Sequence, residues 1–238
     1  QRVPDKNIRP FADTNLLELK IKVLKNCKLI DEIIINSDSE KMLKIGKQYG
    51  LKTKLRDDYF ASSEATNSEF HGHIAETTDT DFIFLTPVCS PFISSKIHDD
   101  AIEKFMLNTN DSLTSTNDVI GHLWLDGKPL NYRLDNVPNS QDLPKIKMLN
   151  YGISIIEKNS MRELKALIGH KPSFFELDSF QSIDINTVKG TGPRGRITKI
   201  DIEKHLTAPD STIETKQTNN IATVHGMDHE VIDIPKIR

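Results

Sequence analysis

The feature that most constrains the fold is a regular alternation of short apolar segments with amphipathic segments of helical length. Residues 30–36 predict a buried strand, and the helix predicted over 38–49 ends at Gly50, which can adopt the left-handed conformation of a helix stop. Residues 81–86 predict a second buried strand, followed by a helix over 95–107. Such alternation is typical of a parallel α/β sheet. Further helices are predicted over 14–27, 66–77 and 159–168, and further strands over 51–55, 112–116 and 146–156.

Polar segments follow three of the predicted strands. They are residues 36–39, 56–63 and 86–91. Ligands of a parallel α/β sheet bind beyond the carboxyl ends of its strands. We therefore expect the functional residues to lie mainly in these three segments.

The composition excludes several classes of function. The 238-residue chain has a net charge of −3, which does not favour a broad nucleic-acid-binding surface. No apolar stretch approaches the ~20 residues that a membrane-spanning helix needs. Cys27 and Cys89 lie far apart, so we expect neither a disulfide framework nor a zinc site, and we expect a cytoplasmic location. The chain begins at Gln1 and ends at Arg238 directly after an apolar pattern, and we expect both ends to be cut.

Five segments, in order along the chain, carry a family resemblance. Residues 2–11 have the sequence Arg-Val-Pro-Asp-Lys-Asn-Ile-Arg-Pro-Phe, and the later segments are 30–39, 54–63, 87–91 and 140–152. Together they resemble the sugar-acid cytidylyltransferases, which activate acylneuraminate (sialic acid) and related nonulosonic acids with CTP. The resemblance implies an α/β, Rossmann-like nucleotide-diphospho-sugar transferase fold with a mostly parallel sheet. It also implies attack of a sugar-acid hydroxyl on the α-phosphorus of CTP, with release of pyrophosphate.

The same resemblance implies roles for the matching residues. Charge that develops on phosphate oxygens calls for positioned cations, and the candidate catalytic residues are Lys6 and Arg56, of which Arg56 would also hold CTP. The other candidate nucleotide-binding residues are Arg2, Asn7, Asn67 and Ser68. The candidate sugar-acid-binding residues are Ser90, Gln141 and Asn150. The candidate ligands of Mg²⁺, a hard cation that prefers oxygen ligands, are Asp184 and Asn186.

Several of these residues also have an ordinary structural interpretation. Lys6 and Arg56 could be solvated surface cations, because most lysines and arginines are exposed. Asn7 could be a turn residue, and Asp184 could be an acid at the end of a strand. The sequence by itself leaves these alternatives open.

The chain departs from the family pattern at three positions and in one whole motif. Pro87 stands where the family has Gln, Ser140 where it often has Arg, and Asn186 where it has the second Asp of a metal pair. The family's first strand and its Ala-Arg-x-x-Ser loop do not occur in the sequence. We therefore expect a sheet that lacks its first strand, a weakened metal affinity, and weak or no turnover.

Residues 183–198 carry a second resemblance. This Gly-rich segment resembles the second half of the peripheral subunit-binding domain of dihydrolipoamide acyltransferases, which form the core of 2-oxo acid dehydrogenase complexes. Thr198 and Asp201 match the capping-box pattern at the start of a short helix. The resemblance implies that Arg196, with Arg194 beside it, docks an acidic surface of a partner such as dihydrolipoamide dehydrogenase. A solvated loop is the alternative.

The sequence therefore predicts a chain of three parts. The nucleotidyltransferase domain spans 1–187, a partial subunit-binding domain spans 188–206, and a flexible linker with the start of an acyltransferase catalytic domain spans 207–238. The junction near 183–188 fits both family patterns, which we interpret as a fusion of two partial genes. The first resemblance also implies a homodimer. The alternative function is that of an acyltransferase component that binds dehydrogenase subunits.

Overall fold

The computed structural model describes residues 5–11, 13–185, 187–192 and 197–207. They lie in the first of two compact units, Gln1–Thr207 and Ala208–Arg238. The helices are α1 (Leu16–Lys25), α2 (Glu40–Gln48), α3 (Asp58–Ala61), α4 (Asn67–Thr77), α5 (Ser95–Met106), α6 (Lys158–Leu164) and α7 (Lys199–Thr207). The strands are β1 (Pro10–Phe11), β2 (Thr14–Asn15), β3 (Ile34–Ser37), β4 (Lys52–Leu55), β5 (Phe82–Leu85), β6 (Ser112–Val119), β7 (Trp124–Leu125), β8 (Lys128–Pro129), β9 (Ile146–Glu157) and β10 (Pro172–Glu176). Short 3₁₀ turns occur at Lys6–Ile8 and Ser140–Asp142.

The predicted helices are confirmed to within a few residues, and polar side chains cap several of them. The Asn15 side chain accepts a hydrogen bond from the Glu18 amide at 2.9 Å and starts α1. Thr66 and Glu69 form a reciprocal capping box that starts α4. Among the described residues, no helix is long and apolar enough to cross a membrane.

Two sheets form the framework of the first unit. The strands β3 and β4 pair in parallel, and the larger sheet has the order β10-β6-β9-β5. In the larger sheet β10 runs parallel to β6, whereas β9 runs antiparallel to both β6 and β5. The α/β class is confirmed, but the sheet is mixed and not mostly parallel.

The antiparallel direction of β9 follows from the way the chain reaches it. After β6 the chain makes an excursion over 120–145, which contains the hairpin β7–β8, and returns beside β6 without a helical crossover. A strand that returns directly beside its predecessor runs antiparallel to it, and only a crossover gives a parallel neighbour. The sequence pattern identified the strands but not their directions.

The core lies on both faces of the larger sheet. Ile155 on β9 packs with Ala101 and Phe105 of α5, and the next residue, Ile156, packs with Met161 of α6 on the opposite face. Successive strand residues point to opposite faces, so one strand serves both halves of the core.

A third apolar cluster joins segments that are far apart in the sequence. Its buried residues are Leu16, Ile183, Ile185 and Val188. Partly buried side chains pack against them, namely Phe11, Val88, Cys89, Phe92, Ile197 and Ile202. We call this set the Leu16 cluster. It joins α1, the segment after β5 and the region before and within α7 in one core.

Candidate functional site

Arg56 directly follows β4, at the edge where the parallel strands β3 and β4 both end. Its Nε donates to the Asn36 side-chain oxygen at 3.0 Å, and its Nη2 donates to the Asn36 backbone carbonyl at 2.8 Å. The guanidinium also lies over the ring of Phe70, 4.6 Å from its centre. We call these three residues the Arg56 cluster. In the described part of the chain Nη1 makes no hydrogen bond, so one side of a fixed cation remains open to a ligand.

The electrostatic setting of Arg56 is that of a half-buried cation. Burial lowers the pKa of its guanidinium, and the charge of Asp38 opposes this shift. A guanidinium has an ordinary pKa above about 12 and stays charged in proteins. Arg56 therefore supplies a permanent positive charge at the end of β4.

The first turn of α4 lies beside the Arg56 cluster. Asn67 and Ser68 occupy this turn, and both are exposed. Phe70 follows Glu69 on the same helix, and the Arg56 guanidinium lies over its ring. The amino-terminal end of a helix presents amide donors and the positive end of the helix dipole. Two predicted nucleotide-binding residues thus share this region with Arg56.

Lys6 and Asn7 lie on the 3₁₀ turn Lys6–Ile8. Asp5, which precedes the turn, has a left-handed backbone with φ of 53°, and its carboxylate pairs with Lys41 of α2 at 2.8 Å. The side-chain oxygen of Asn7 is buried and has no hydrogen-bond partner among the described residues. An unpaired buried acceptor is costly, so Asn7 offers an acceptor position that a ligand donor could fill.

Lys6, Cys89 and Asp184 come together beyond the end of β5, and we call them the Lys6 cluster. Burial raises the pKa of the Cys89 thiol, as do the charge of Asp184 and a hydrogen bond with it, while the charge of Lys6 opposes the shift. The amide of Ile185 donates to the Cys89 carbonyl at 3.0 Å, which ties the two segments together. The structure thus brings together two residues to which the family resemblance assigns the phosphate and the metal.

Ser90 lies in the interior next to this cluster. It is only 4% exposed, and its backbone carbonyl accepts a hydrogen bond from the Lys20 ammonium at 2.8 Å. This arrangement favours a role of Ser90 in shaping the segment after β5. Its contact with a sugar acid stays a prediction.

Asn150 holds an irregular part of the sheet. Its side-chain oxygen accepts from Ser115 and from the Gly152 amide, and its side-chain nitrogen donates to Asn117 at 2.8 Å. These contacts surround the register shift between Thr114 and Thr116, so the described contacts of Asn150 are structural.

The other sugar-acid candidate, Gln141, is exposed on the 3₁₀ turn Ser140–Asp142, within the 120–145 excursion. Its role stays a prediction. Four further predicted residues lie outside the described residues, and their roles stay predictions too: Arg2, Asn186, Arg194 and Arg196.

The described residues fit a Mg²⁺ ion that has few protein ligands. Within the described ranges, no group of three or more His, Cys, Asp or Glu side chains gathers as a metal site. Mg²⁺ commonly binds one or two carboxylates and completes its shell with water and substrate phosphates. Asp184, in the same cluster as Lys6, therefore suits a metal that is shared with a bound phosphate.

Sequence reasoning missed three residues that support the site, namely Asn36, Phe70 and Lys20. For Lys20 a signal was present. It lies within the apolar stripe of α1, four residues after Leu16 and four before Leu24, where a lysine is unusual. Asn36 lies in the polar segment 36–39, which the sequence marks as a place for functional residues, but its contact with Arg56 exists only in the folded chain. Phe70 had no signal of its own, since only the folded chain brings it to Arg56.

Two family models match the chain. The model of the cytidylyltransferases matches residues 1–136, and the model of the e3 binding domain matches residues 181–203. The second match begins just before Ile183 of the Leu16 cluster and ends within α7. Both resemblances seen in the sequence are thereby confirmed.

Curated relatives are bacterial proteins. Post-translational flagellin modification protein B of Campylobacter coli is 25% identical over 198 residues, which cover 78% of this chain and 84% of that protein. Pseudaminic acid cytidylyltransferase of Campylobacter jejuni is 28% identical over 119 residues, which cover 48% of this chain and 51% of that protein. The matched part thus spans about half the length of the latter relative.

Solved structures share the fold. The 4-diphosphocytidyl-2C-methyl-D-erythritol synthase of Anaerococcus prevotii superimposes with a TM-score of 0.57 at 14% identity, covering 82% of this chain and 85% of that one. A CMP:2-keto-3-deoxy-manno-octonic acid synthetase gives a TM-score of 0.56 at 11% identity, covering 87% and 92%. These similarities confirm the α/β nucleotide-sugar transferase fold. Since the first family match covers more than half of the residues, this chain belongs to the cytidylyltransferase family.

Proposed function

We propose that the chain transfers CMP from CTP to a nonulosonic acid and releases pyrophosphate. The observation that carries the proposal is the Lys6 cluster, in which the charges of Lys6 and Asp184 both act on Cys89 beyond β5, in a chain of the cytidylyltransferase family. The substrate class is supported by the relatives named pseudaminic acid cytidylyltransferase.

In the proposed reaction a hydroxyl of the acid attacks the α-phosphorus of CTP, and the bond from that phosphorus to the pyrophosphate oxygen breaks. Negative charge grows on the phosphate oxygens, and Lys6 is suited to neutralise it. Arg56 is already fixed by Asn36 and Phe70, so binding a phosphate costs it little side-chain entropy. When bound, Mg²⁺ supplies further neutralisation of phosphate charge, with Asp184 as its protein ligand.

The remaining nucleotide contacts follow from positions already described. The unpaired oxygen of Asn7 is suited to accept a hydrogen bond from the nucleotide. Asn67 and Ser68 offer side-chain and backbone donors at the start of α4, where an anion is favoured. The two candidate regions would then hold one nucleotide between a fixed guanidinium and an ammonium group.

The acid itself is proposed to be of the pseudaminic type, with the acylneuraminate type as the alternative. Pro87 and Ser140 replace residues that the family pattern uses near the acid, so recognition differs from that pattern. The weak turnover expected from the sequence and the cytoplasmic location stay parts of this proposal.

A pyrophosphate-release assay with CTP and Mg²⁺ tests the proposal. Pseudaminic acid, N-acetylneuraminic acid and 2-keto-3-deoxy-manno-octonic acid are offered separately, as is 2C-methyl-D-erythritol 4-phosphate, and mass spectrometry identifies the cytidylyl product. We expect a CMP-sugar from at least one of the first two acids. Product formed only with the third acid, or only with 2C-methyl-D-erythritol 4-phosphate, would contradict the proposed substrate class.

A second candidate function rests on the e3 binding domain match. Residues 181–203 would bind a dehydrogenase subunit, such as dihydrolipoamide dehydrogenase, as in the acyltransferase components of 2-oxo acid dehydrogenase complexes. A pull-down with purified dihydrolipoamide dehydrogenase tests it. Binding that weakens with salt supports docking through charged residues, and no binding at low salt excludes it.

A homodimer is also proposed. The 120–145 excursion exposes apolar side chains that a partner could bury, with Trp124 at 53%, Leu125 at 60% and Leu134 at 65% exposed. Sedimentation of the wild type and of Leu134→Asp tests this. A dimer that becomes a monomer in the variant supports the proposal, and a monomeric wild type refutes it.

A further inference from the structure

Lys20 is the least expected side chain in the first unit. It is 4% exposed, yet it carries an ammonium group on the buried side of α1. Burial lowers its pKa to about 8, so the group keeps most of its charge at neutral pH. Burying a charge is expensive, so the presence of such a group is weak evidence that it stabilises the fold.

The contacts of Lys20 all lead to one segment. Its Nζ donates to the Ser90 carbonyl at 2.8 Å and to the Thr86 hydroxyl at 3.2 Å. Lys20 therefore contacts both ends of the turn 86–90. Thr86 is fixed in its turn, because its hydroxyl donates to the Gly152 carbonyl at 3.0 Å and lies 3.3 Å from His98. The bond to Ser90 is short and charge-assisted, which is the stronger class of hydrogen bond.

This turn is also the segment that holds the Lys6 cluster. Cys89 directly precedes Ser90, its thiol bonds with Asp184, and its carbonyl accepts from Ile185. A continuous set of contacts therefore runs from Lys20 through Ser90 and Cys89 to Asp184. Lys20 itself touches neither Lys6 nor Asp184 in the contacts described.

We propose that Lys20 is a positioning residue, which fixes the turn 86–90 and through it the orientation of Asp184. The proposal rests on the proposed function for its kinetic part, but its structural part does not need the reaction. Its consequence is that the buried ammonium group serves the geometry of the site and contributes little to the stability of the fold.

The first test uses the whole chain without ligand. Amide hydrogen exchange is compared for wild type, Lys20→Met, and Lys22→Met, an exposed lysine on the same helix. In Lys20→Met we expect exchange at 85–92 and 183–188 to accelerate by about 10-fold or more, because a charge-assisted bond is lost. Exchange at 153–156 of β9 and the melting temperature should stay close to those of wild type, since methionine avoids the desolvation cost.

The second test is kinetic. Lys20→Met should lower kcat by about 10-fold or more and change the KM for CTP by less than about 3-fold, because a misplaced group acts mainly in the transition state. Lys20→Arg keeps the charge and should restore at least part of kcat, and Lys22→Met should match wild type. If Lys20→Arg does not fold, Thr86→Val removes one acceptor of Lys20 and should accelerate exchange at the same two segments.

Two results would overturn the proposal. One is equal exchange at 85–92 in Lys20→Met and Lys22→Met. The other is a faster exchange of all segments together with a lower melting temperature, which would make Lys20 a structural residue only. Absence of turnover in the wild type with every acid would instead count against the proposed function and leave the exchange result to stand.

Discussion

The Arg56 cluster and the Lys6 cluster present cations by different means. Arg56 is held through its own side chain, by two hydrogen bonds to Asn36 and by the Phe70 ring. Lys6 lies on a short turn, and its neighbour Asp184 is flanked by two buried residues of the Leu16 cluster, Ile183 and Ile185. The first cation is therefore preorganised by contacts of its own side chain, while the carboxylate in the cluster of the second is held by an apolar core.

The largest effect is expected where the apolar support is removed. Ile185→Ala should lower the free energy of unfolding by about 3 kcal/mol, because Ile185 is 4% exposed and its truncation leaves a cavity. Ile200→Ala, on an exposed position of α7, is the matched control and should cost less than about 0.5 kcal/mol. Urea denaturation measures both, and equal costs would show that the Leu16 cluster does not hold the site.

Lys6→Ala tests the less fixed cation. We expect the rate of pyrophosphate release to fall by ~10²-fold or more, as for a positioned charge that stabilises the transition state. Lys22→Ala is the control for loss of an exposed lysine. A rate of pyrophosphate release within 3-fold of wild type in Lys6→Ala would show that Lys6 is a solvated surface cation without a role in the reaction.

The support of the segment after β5 also contains a titratable group. His98 is fully buried, and burial, followed by the charge of Lys20, lowers its pKa to about 4. The unfolded chain takes up a proton near pH 6.5 and the folded chain does not, so stability falls as the pH drops from 6.5 to 4. We expect roughly 2 kcal/mol of this loss to disappear in His98→Gln, measured by urea denaturation across that range. If the free energy of unfolding fell equally with pH in wild type and in His98→Gln, His98 would not be the group responsible for the loss.

Asn36→Ala tests the fixed cation. The variant leaves Arg56 in place but removes the acceptor of its Nε, and we expect the KM for CTP to rise by about 10-fold. Asn26→Ala, an exposed asparagine after α1, should leave the KM unchanged. An unchanged KM in Asn36→Ala would mean that preorganisation of the guanidinium has no value for binding.

The smallest effect is expected at Asp5. Its ion pair with Lys41 is exposed, with side chains 47% and 71% accessible, and such pairs contribute less than about 1 kcal/mol. Asn tolerates the left-handed backbone at this position, so Asp5→Asn removes the charge alone. Denaturation at two salt concentrations measures the free energy of unfolding that the variant loses. A loss larger than about 1 kcal/mol would show that the ion pair holds the Lys6 turn, as Asn36 holds Arg56.

Much of the fold could be predicted from the sequence because it depends on local pattern. The helices α1, α2, α4 and α5 follow from apolar spacing and caps such as Asn15 and Thr66. The strand over 30–36 shortened to Ile34–Ser37, and β10 was missed, because pairing with a neighbour defines a strand and the pattern carries no pairing. The direction of β9 was unpredictable for the same reason.

The site could be predicted only in part. Motif order identified Lys6, Arg56 and Asp184, which the structure places at the ends of strands or beside the segment after β5. It assigned Asn150 to the substrate, which stays a prediction, and it did not show that this side chain also holds a sheet irregularity. The strand pattern placed Asn36 in the candidate segment 36–39 but could not pair it with Arg56, because that contact spans 20 residues and exists only after β3 and β4 pair.

The Leu16 cluster has a practical consequence for anyone who shortens this chain. A cut near 181, the first limit of the e3 binding domain match, would pass through this cluster and separate Leu16 and Phe11 from Ile185 and Val188, whereas a cut near 203 would divide α7. The apolar surface left behind would favour aggregation of the recombinant product. Family limits drawn on the sequence are poor cutting points here, and Thr207, the last residue of the first unit, is a better one.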